Sequence, residues 1–92
     1  MARIYSTYEV ADVVKGAANH YRLDILSLLA QQDQLPLESI SEILDINYKT
    51  ASVHVSRMYR SGLITKKYSG HYVLHSITKR GTDILKFLRK LE

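Results

Sequence analysis

The chain has 92 residues, 46% of them hydrophobic, which suffices for a single domain with one modest core and is too short for a second independent domain. It contains no cysteine, so disulfides, thiolate zinc sites and cysteine nucleophiles are excluded together. The net charge of +4 is unevenly placed: residues 1–46 hold three bases (Arg3, Lys15, Arg22) against seven acids, and residues 47–92 hold ten bases against two acids, a concentrated positive field that suits a polyanion.

No apolar run of signal-peptide type lies near Met1, and no stretch approaches the roughly 18 apolar residues of a membrane span, so the expected setting is cytoplasmic with no membrane partner. Residues Thr7 to about Asn19 carry Val10, Val13, Val14 and Ala17 at helical spacing, and Tyr21 continues the series. Gly16 weakens this first helix locally, and Asn19-His20 marks a break before a second helix opens at Tyr21 and closes in the polar stretch Gln31 to Gln34. Pro36 fits a loop or the first turn of a third helix, Leu37 to Leu44, because its missing N–H costs nothing there.

Asp45-Ile46-Asn47 is a very short connection, and Asn47 can cap a fourth helix, Tyr48 to Arg60. Two β-rich runs, Leu63 to Tyr68 and His71 to Ile77, flank Ser69-Gly70 and predict a hairpin. Thr78 is placed to cap a last helix that carries Ile84, Leu85, Phe87, Leu88 and Leu91 to the C-terminus. The predicted fold is mainly α with a small β-hairpin, in the order α-α-α-α-β-β-α, with no internal repeat or linker.

Two short helices joined by about three residues, the second with a polar outer face, form a helix-turn-helix. Ile40, Leu44, Ile46, Ala51, Val55 and Met58 supply the apolar residues between them, and small Ser41 and Ala51 stand where the helices approach. The segment Arg22 to Thr78 resembles the winged helix-turn-helix regulators of the arsenical-resistance-repressor (ArsR) and multiple-antibiotic-resistance-repressor (MarR) types. The resemblance rests on Arg22-Leu23-x-Ile25-Leu26, Ile40-Ser41-x-x-Leu44-x-Ile46-Asn47-x-x-Thr50-Ala51-Ser52, Gly62-Leu63-Ile64 and Ile77-Thr78-x-x-Gly81. Two residues depart from the usual pattern. Asp45 stands where such turns often have glycine, but tolerates the left-handed conformation, and Ser41 replaces the usual alanine, adding a hydroxyl expected to bond to the preceding helical turn.

Projected at about 100° per residue, the fourth helix turns Ala51, Val55 and Met58 inward and Lys49, Val53, Ser56 and Arg60 outward, flanked by Ser52 and Arg57. The outer face is the one offered to a major groove: Lys49 and Arg57 can donate to guanine or phosphate, Ser52 and Ser56 to either, and Val53 can pack on a thymine methyl. Asn47 and Thr50, near the helix start, suit phosphate, and Tyr48 can stack or hydrogen-bond there. In the resemblance the hairpin is a wing that lies along the DNA backbone or enters the adjacent minor groove, which assigns Lys66, Lys67, Tyr68, Ser69, Gly70 and His71 to the interface. Lysines also keep an exposed strand edge from pairing with other chains. Tyr72 is a further stacking candidate, while Tyr5, Tyr8, Tyr21 and Tyr59 are expected to close the core or a subunit interface.

His71 and His75, four residues apart on one predicted strand, would lie about 13 Å apart, too far to share a metal ion. His20 and His54 fall on different helices, so neither a metal nor another cofactor is expected, and no nucleophile elbow, phosphate loop or zinc-protease motif points to an enzyme. In the last helix the five apolar residues span about 160° of arc, wider than the roughly 100° one core needs. A homodimer is therefore expected, with Val10, Val14, Ile84, Phe87, Leu88 and Leu91 at its interface and two recognition helices set for a palindromic site. The function expected is a sequence-specific, double-stranded-DNA-binding regulator, a repressor that occludes promoter DNA. A winged helix used to assemble proteins is the alternative.

Overall fold

The computed structural model describes residues 6–91. Tyr5, one of the expected core or interface tyrosines, lies outside them. Helix α1 (Thr7–Ala17) begins in a reciprocal cap: Ser6 Oγ accepts from the Glu9 amide, and Glu9 Oε1 accepts from the Ser6 amide, each at 3.2 Å. Gly16 is buried where α1 crosses the end of the fourth helix, and a Cβ there would stand 2.5 Å from Ser61 Oγ. The residue that weakens the helix is thus the one that lets it dock. Helix α2 (His20–Gln31) starts one residue earlier than expected, with Asn19 Oδ1 accepting from the Tyr21 amide at 2.9 Å, and buries Ile25, Leu26 and Leu29.

A short strand β1 (Leu35–Pro36), not expected from the sequence, precedes helix α3 (Leu37–Leu44). Two residues are too few for any periodicity to mark, and what holds them is distant: β1 pairs antiparallel with the last strand, Leu35 opposite His75 and Pro36 opposite Leu74. The His75 ring, 3% exposed, adds a 2.9 Å hydrogen bond from Nδ1 to the Leu35 carbonyl. A carbonyl only accepts, so Nδ1 carries the proton. Burial pushes the His75 pKa down, with the Leu35 bond and Glu38 opposing and Lys66 adding to the depression. The proline sits at the sheet edge, where its missing N–H is harmless.

Helix α4 (Tyr48–Arg60) follows α3 after a turn in which Asp45 adopts the left-handed conformation, φ 52° and ψ 51°. Ser41 departs from expectation. Its hydroxyl donates forward to the Ile46 carbonyl at 2.7 Å and ties the turn, instead of bonding back along its own helix. Strands β2 (Ile64–Ser69) and β3 (Tyr72–Ile77) form the hairpin, so the sheet has three strands in the order β1-β3-β2.

Helix α5 (Lys79–Arg89) is capped by Thr78 Oγ1, which accepts from the Gly81 amide at 3.0 Å and donates to the Gly62 carbonyl at 2.7 Å. It ends before the last apolar residue, so Leu91 lies beyond the helix on which it was expected. Ile25, Leu26, Leu29, Ile40, Met58, Leu63 and Ile64 are fully buried and join α2, α3, α4 and the sheet in one core. The expected helix-turn-helix and wing are therefore present, set on a sheet with one more strand than expected.

Candidate nucleic-acid interface

The core fixes the orientation of α4, because Ala51, Val55 and Met58 are buried and their opposites cannot be. Lys49, Val53, Ser56 and Arg60 are exposed along the outer face. Asn47 begins this helix, its Oδ1 accepting from the Lys49 amide at 2.9 Å and the Thr50 amide at 3.3 Å. With the oxygen used as a cap, the side-chain amide N–H groups are what Asn47 can offer a phosphate. Tyr48 is exposed, while Thr50 and Ser52 are half-buried on opposite flanks.

On the wing side, Lys66 and Lys67 point to opposite faces of the sheet, as neighbours on a strand must. Lys66, opposite His75, turns toward α4 and places its Nζ 4.6 Å from the centre of the Tyr59 ring. Lys67, opposite Leu74, is exposed on the other face. Tyr59 was expected to close a core or interface; it is 47% exposed and braces the wing against the recognition helix. Tyr8 is exposed on α1 and closes no core, and Tyr21 packs between two imidazoles of α2 and α4. Glu38, Tyr48, Lys66, Tyr68, His71 and Tyr72 border a groove of about 320 Å³ between α3, the start of α4 and the sheet.

Gly70 and His71 form a two-residue turn closed by Ser69 opposite Tyr72. His71 is thus in the turn and not on a strand with His75, as the sequence had suggested. Gly70 has φ +60°, whereas outside glycine positive φ among the described residues is confined to Gln34 and Asp45, an arrangement suited to a type II′ hairpin turn. A side chain at Gly70 would meet no atom within 4 Å, so the cost of substitution lies in the backbone. Gly70→Val is expected to lower affinity for a selected DNA site more than it lowers the melting temperature. Unchanged binding in a variant that melts normally would remove the wing tip from the interface.

Arg57 is not the free, groove-facing donor the helical projection suggested. Its Nη2 lies 3.7 Å from Asp12 Oδ1 on α1, and its side chain is 36% exposed. This flank, with Asp12, Arg22 and His54, was missed because residues far apart in sequence build it and no local pattern marks it. Among the described residues, no three of the histidines and carboxylates gather as a metal site, and no helix is long and apolar enough to cross a membrane.

The apolar residues expected at a dimer interface divide in two. Ile84 and Leu88 are half-buried against the chain's own core, whereas Val10, Val14, Phe87 and Leu91 are between 50% and 70% exposed. Between α1, α2 and α5 lies an apolar cavity of about 110 Å³, lined by Val14, Ala17, Leu23, Ile84 and Phe87 among others.

The sequence pattern of the bacterial regulatory proteins of the arsR family matches residues 19–66, just over half of the chain. The chain belongs to that family. Among solved structures it is similar to the homodimeric winged helix-turn-helix DNA-binding domain of a possible ArsR-family transcriptional regulator from Mycobacterium bovis. The two are 27% identical, with a TM-score of 0.82 over 99% of this chain and 89% of the other. The transcriptional repressor PagR of Bacillus anthracis is also 27% identical, with a TM-score of 0.78 over 88% of this chain and 93% of PagR. NolR from Sinorhizobium fredii, at 18% identity and a TM-score of 0.83 over 98% and 96% of the two chains, shares the fold. This ArsR-family chain therefore has the fold and family of DNA-binding transcriptional regulators.

Proposed function

We propose that this chain is a sequence-specific regulator that binds double-stranded DNA as a homodimer and represses transcription by occupying promoter DNA. The observation that carries the reading is the exposed row Lys49, Val53, Ser56 and Arg60 on a helix whose opposite face is locked into the core. Lys49 and the two serines, Ser52 and Ser56, supply donors to base edges, Val53 an apolar contact, and Arg60 a charge for base or phosphate. Asn47, Tyr48 and Thr50 meet the backbone at the helix start. The wing from Lys66 to His71 follows the neighbouring backbone, with Lys67 as its freest charge.

Exposed Val10 and Val14 on α1 and Phe87 and Leu91 near α5 support self-association, as does the homodimer of the Mycobacterium bovis relative. A symmetric pair would present two recognition helices to a palindromic site. Such a regulator acts without enzymatic chemistry and within the cytoplasm.

Selection of bound sequences from a random DNA pool tests the reading. A regulator enriches one motif with two-fold symmetry, and its affinity falls steeply with salt. A protein-assembly module enriches none and barely responds to salt. Within a specific complex, Lys67→Ala is expected to weaken selected and random duplexes about equally and to lower the salt slope by about one unit. A loss confined to the selected site would instead make Lys67 a base reader.

A further inference from the structure

The flank of α4 that faces away from the wing gathers four groups of positive or potentially positive charge. His20 and Arg22 come from α2, and His54 and Arg57 from α4. The Tyr21 ring lies between the imidazoles, 4.0 Å from His20 and 5.4 Å from His54 by ring centres. Arg22 and Arg57 are close enough to repel: burial, and then the charge of Arg57, hold the Arg22 guanidinium below its ordinary pKa. The Nε atoms of both arginines are shut off from solvent and have no hydrogen-bond partner. The carboxylate that meets Arg57 is Asp12, at 3.7 Å and with 65% of its side chain exposed, a loose partner for so much positive charge.

We propose that Arg22, His54 and Arg57 form a phosphate site on the flank of the recognition helix opposite the wing, held in the free protein by Asp12 and taken over by the DNA backbone. The proposal rests on the DNA-binding reading above. Guanidinium groups bind phosphate oxygens through paired N–H donors, and an anion placed between two of them turns their repulsion into attraction. On the helix, Arg57 is about 60° from Arg60 and about 40° from Val53, so it borders the outward row without belonging to it. With Lys67 and the wing on the other side, α4 would be gripped to both strands that border the groove.

His54 adds a pH dependence to this grip. The groups that face it are Arg22, His20 and Tyr21 from α2, while Arg57, three residues on along α4, is the one that meets Asp12 of α1. Burial first, then Arg22 and His20, lower its pKa from 6.5, so it is neutral in the free protein near pH 7. A bound phosphate favours the imidazolium, so binding takes up a proton and affinity rises as pH falls toward 6.

The test titrates wild type, Arg22→Gln, Asp12→Asn and His54→Gln with random and selected duplexes, at several salt concentrations and at pH 7.5 and 6. Arg22→Gln is expected to weaken both duplexes alike and to reduce the salt slope by about one unit. Asp12→Asn, at an exposed position that leaves the fold intact, should strengthen both several-fold, because the internal competitor is gone. His54→Gln should flatten the rise in affinity between pH 7.5 and 6, and comparison with wild type isolates the share of His54.

Inorganic phosphate, followed through the His54 ring signals by NMR, separates the sources of the anion. Shifts with phosphate and duplex make the site a general phosphate site, and shifts with duplex alone assign it to the DNA backbone. An unchanged salt slope in Arg22→Gln together with unchanged or weaker binding in Asp12→Asn overturns the proposal while leaving DNA binding itself intact. Absence of duplex binding by wild type overturns the regulatory reading instead, and the phosphate titration then decides the site alone.

Discussion

Glutamate in place of Phe87 is expected to convert the proposed dimer to a 10.6 kDa monomer and to weaken binding to a palindromic site by about 100-fold or more. Phe87 is 60% exposed, and it borders the apolar cavity shared with Val14 of α1, which is itself 50% exposed. A carboxylate buried at such a seam is costly unless it is paired, so association fails first. The fold does not depend on Phe87, because Leu85 is buried and Ile84 and Leu88 already hold α5 on the core. Loss of the partner removes the second half-site as an intramolecular contact, and the lost factor is the gain from linkage, about 10² to 10⁴. Sedimentation at micromolar concentration reads the first effect, and titration of full and half sites reads the second. A variant that still sediments as a dimer would place the interface elsewhere.

The helix-turn-helix was legible because its signals are local. Asn47 and Thr78 cap the helices that follow them, Asp45 occupies the left-handed turn, and the apolar series from Ile40 to Met58 repeats within one or two turns. The bounds of α3 and α4 are accordingly those expected from the sequence. What was not legible depends on contacts across long separations. Strand β1 exists through pairing with β3 and the His75 bond to Leu35, forty residues away. Arg57 turns to Asp12 on another helix, and Lys66 to the Tyr59 ring. A helical projection gives the angle at which a side chain leaves its helix, not the neighbour that draws its charged end aside.

These long-range contacts brace α4 on both flanks. Tyr59 and Lys66 join it to the wing, while Arg57 and Asp12 join it to α1, the helix that also carries exposed Val10 and Val14. The proposed subunit interface and α4 thus share α1, which meets α4 at the Arg57–Asp12 pair and where Gly16 packs on Ser61. The outward row itself takes no part in these braces, and Lys49, Val53 and Ser56 stay exposed, as the proposed base reading requires.

Ile40→Ala is expected to be among the most destabilising single changes in the helix-turn-helix, costing about 2–5 kcal/mol. Ile40 is 0% exposed in the core shared by α2, α3, α4 and the sheet, and truncation there leaves a cavity that fixed helices can fill only partly. Against a total stability of about 5–15 kcal/mol, this is a large share. For a domain of this size each kcal/mol lowers the melting temperature by about 4–8 °C, so a fall of about 8–40 °C is expected. Ile43, on the same helix but 50% exposed, supplies the control, because Ile43→Ala should change stability by no more than about 0.5 kcal/mol. Calorimetry of the two variants at one protein concentration makes the comparison, and equal losses would show that α3 is not anchored through Ile40. In the cold, where Ile40→Ala is still largely folded, added duplex should recover part of the lost melting temperature, since a ligand that binds the folded state stabilises it by mass action.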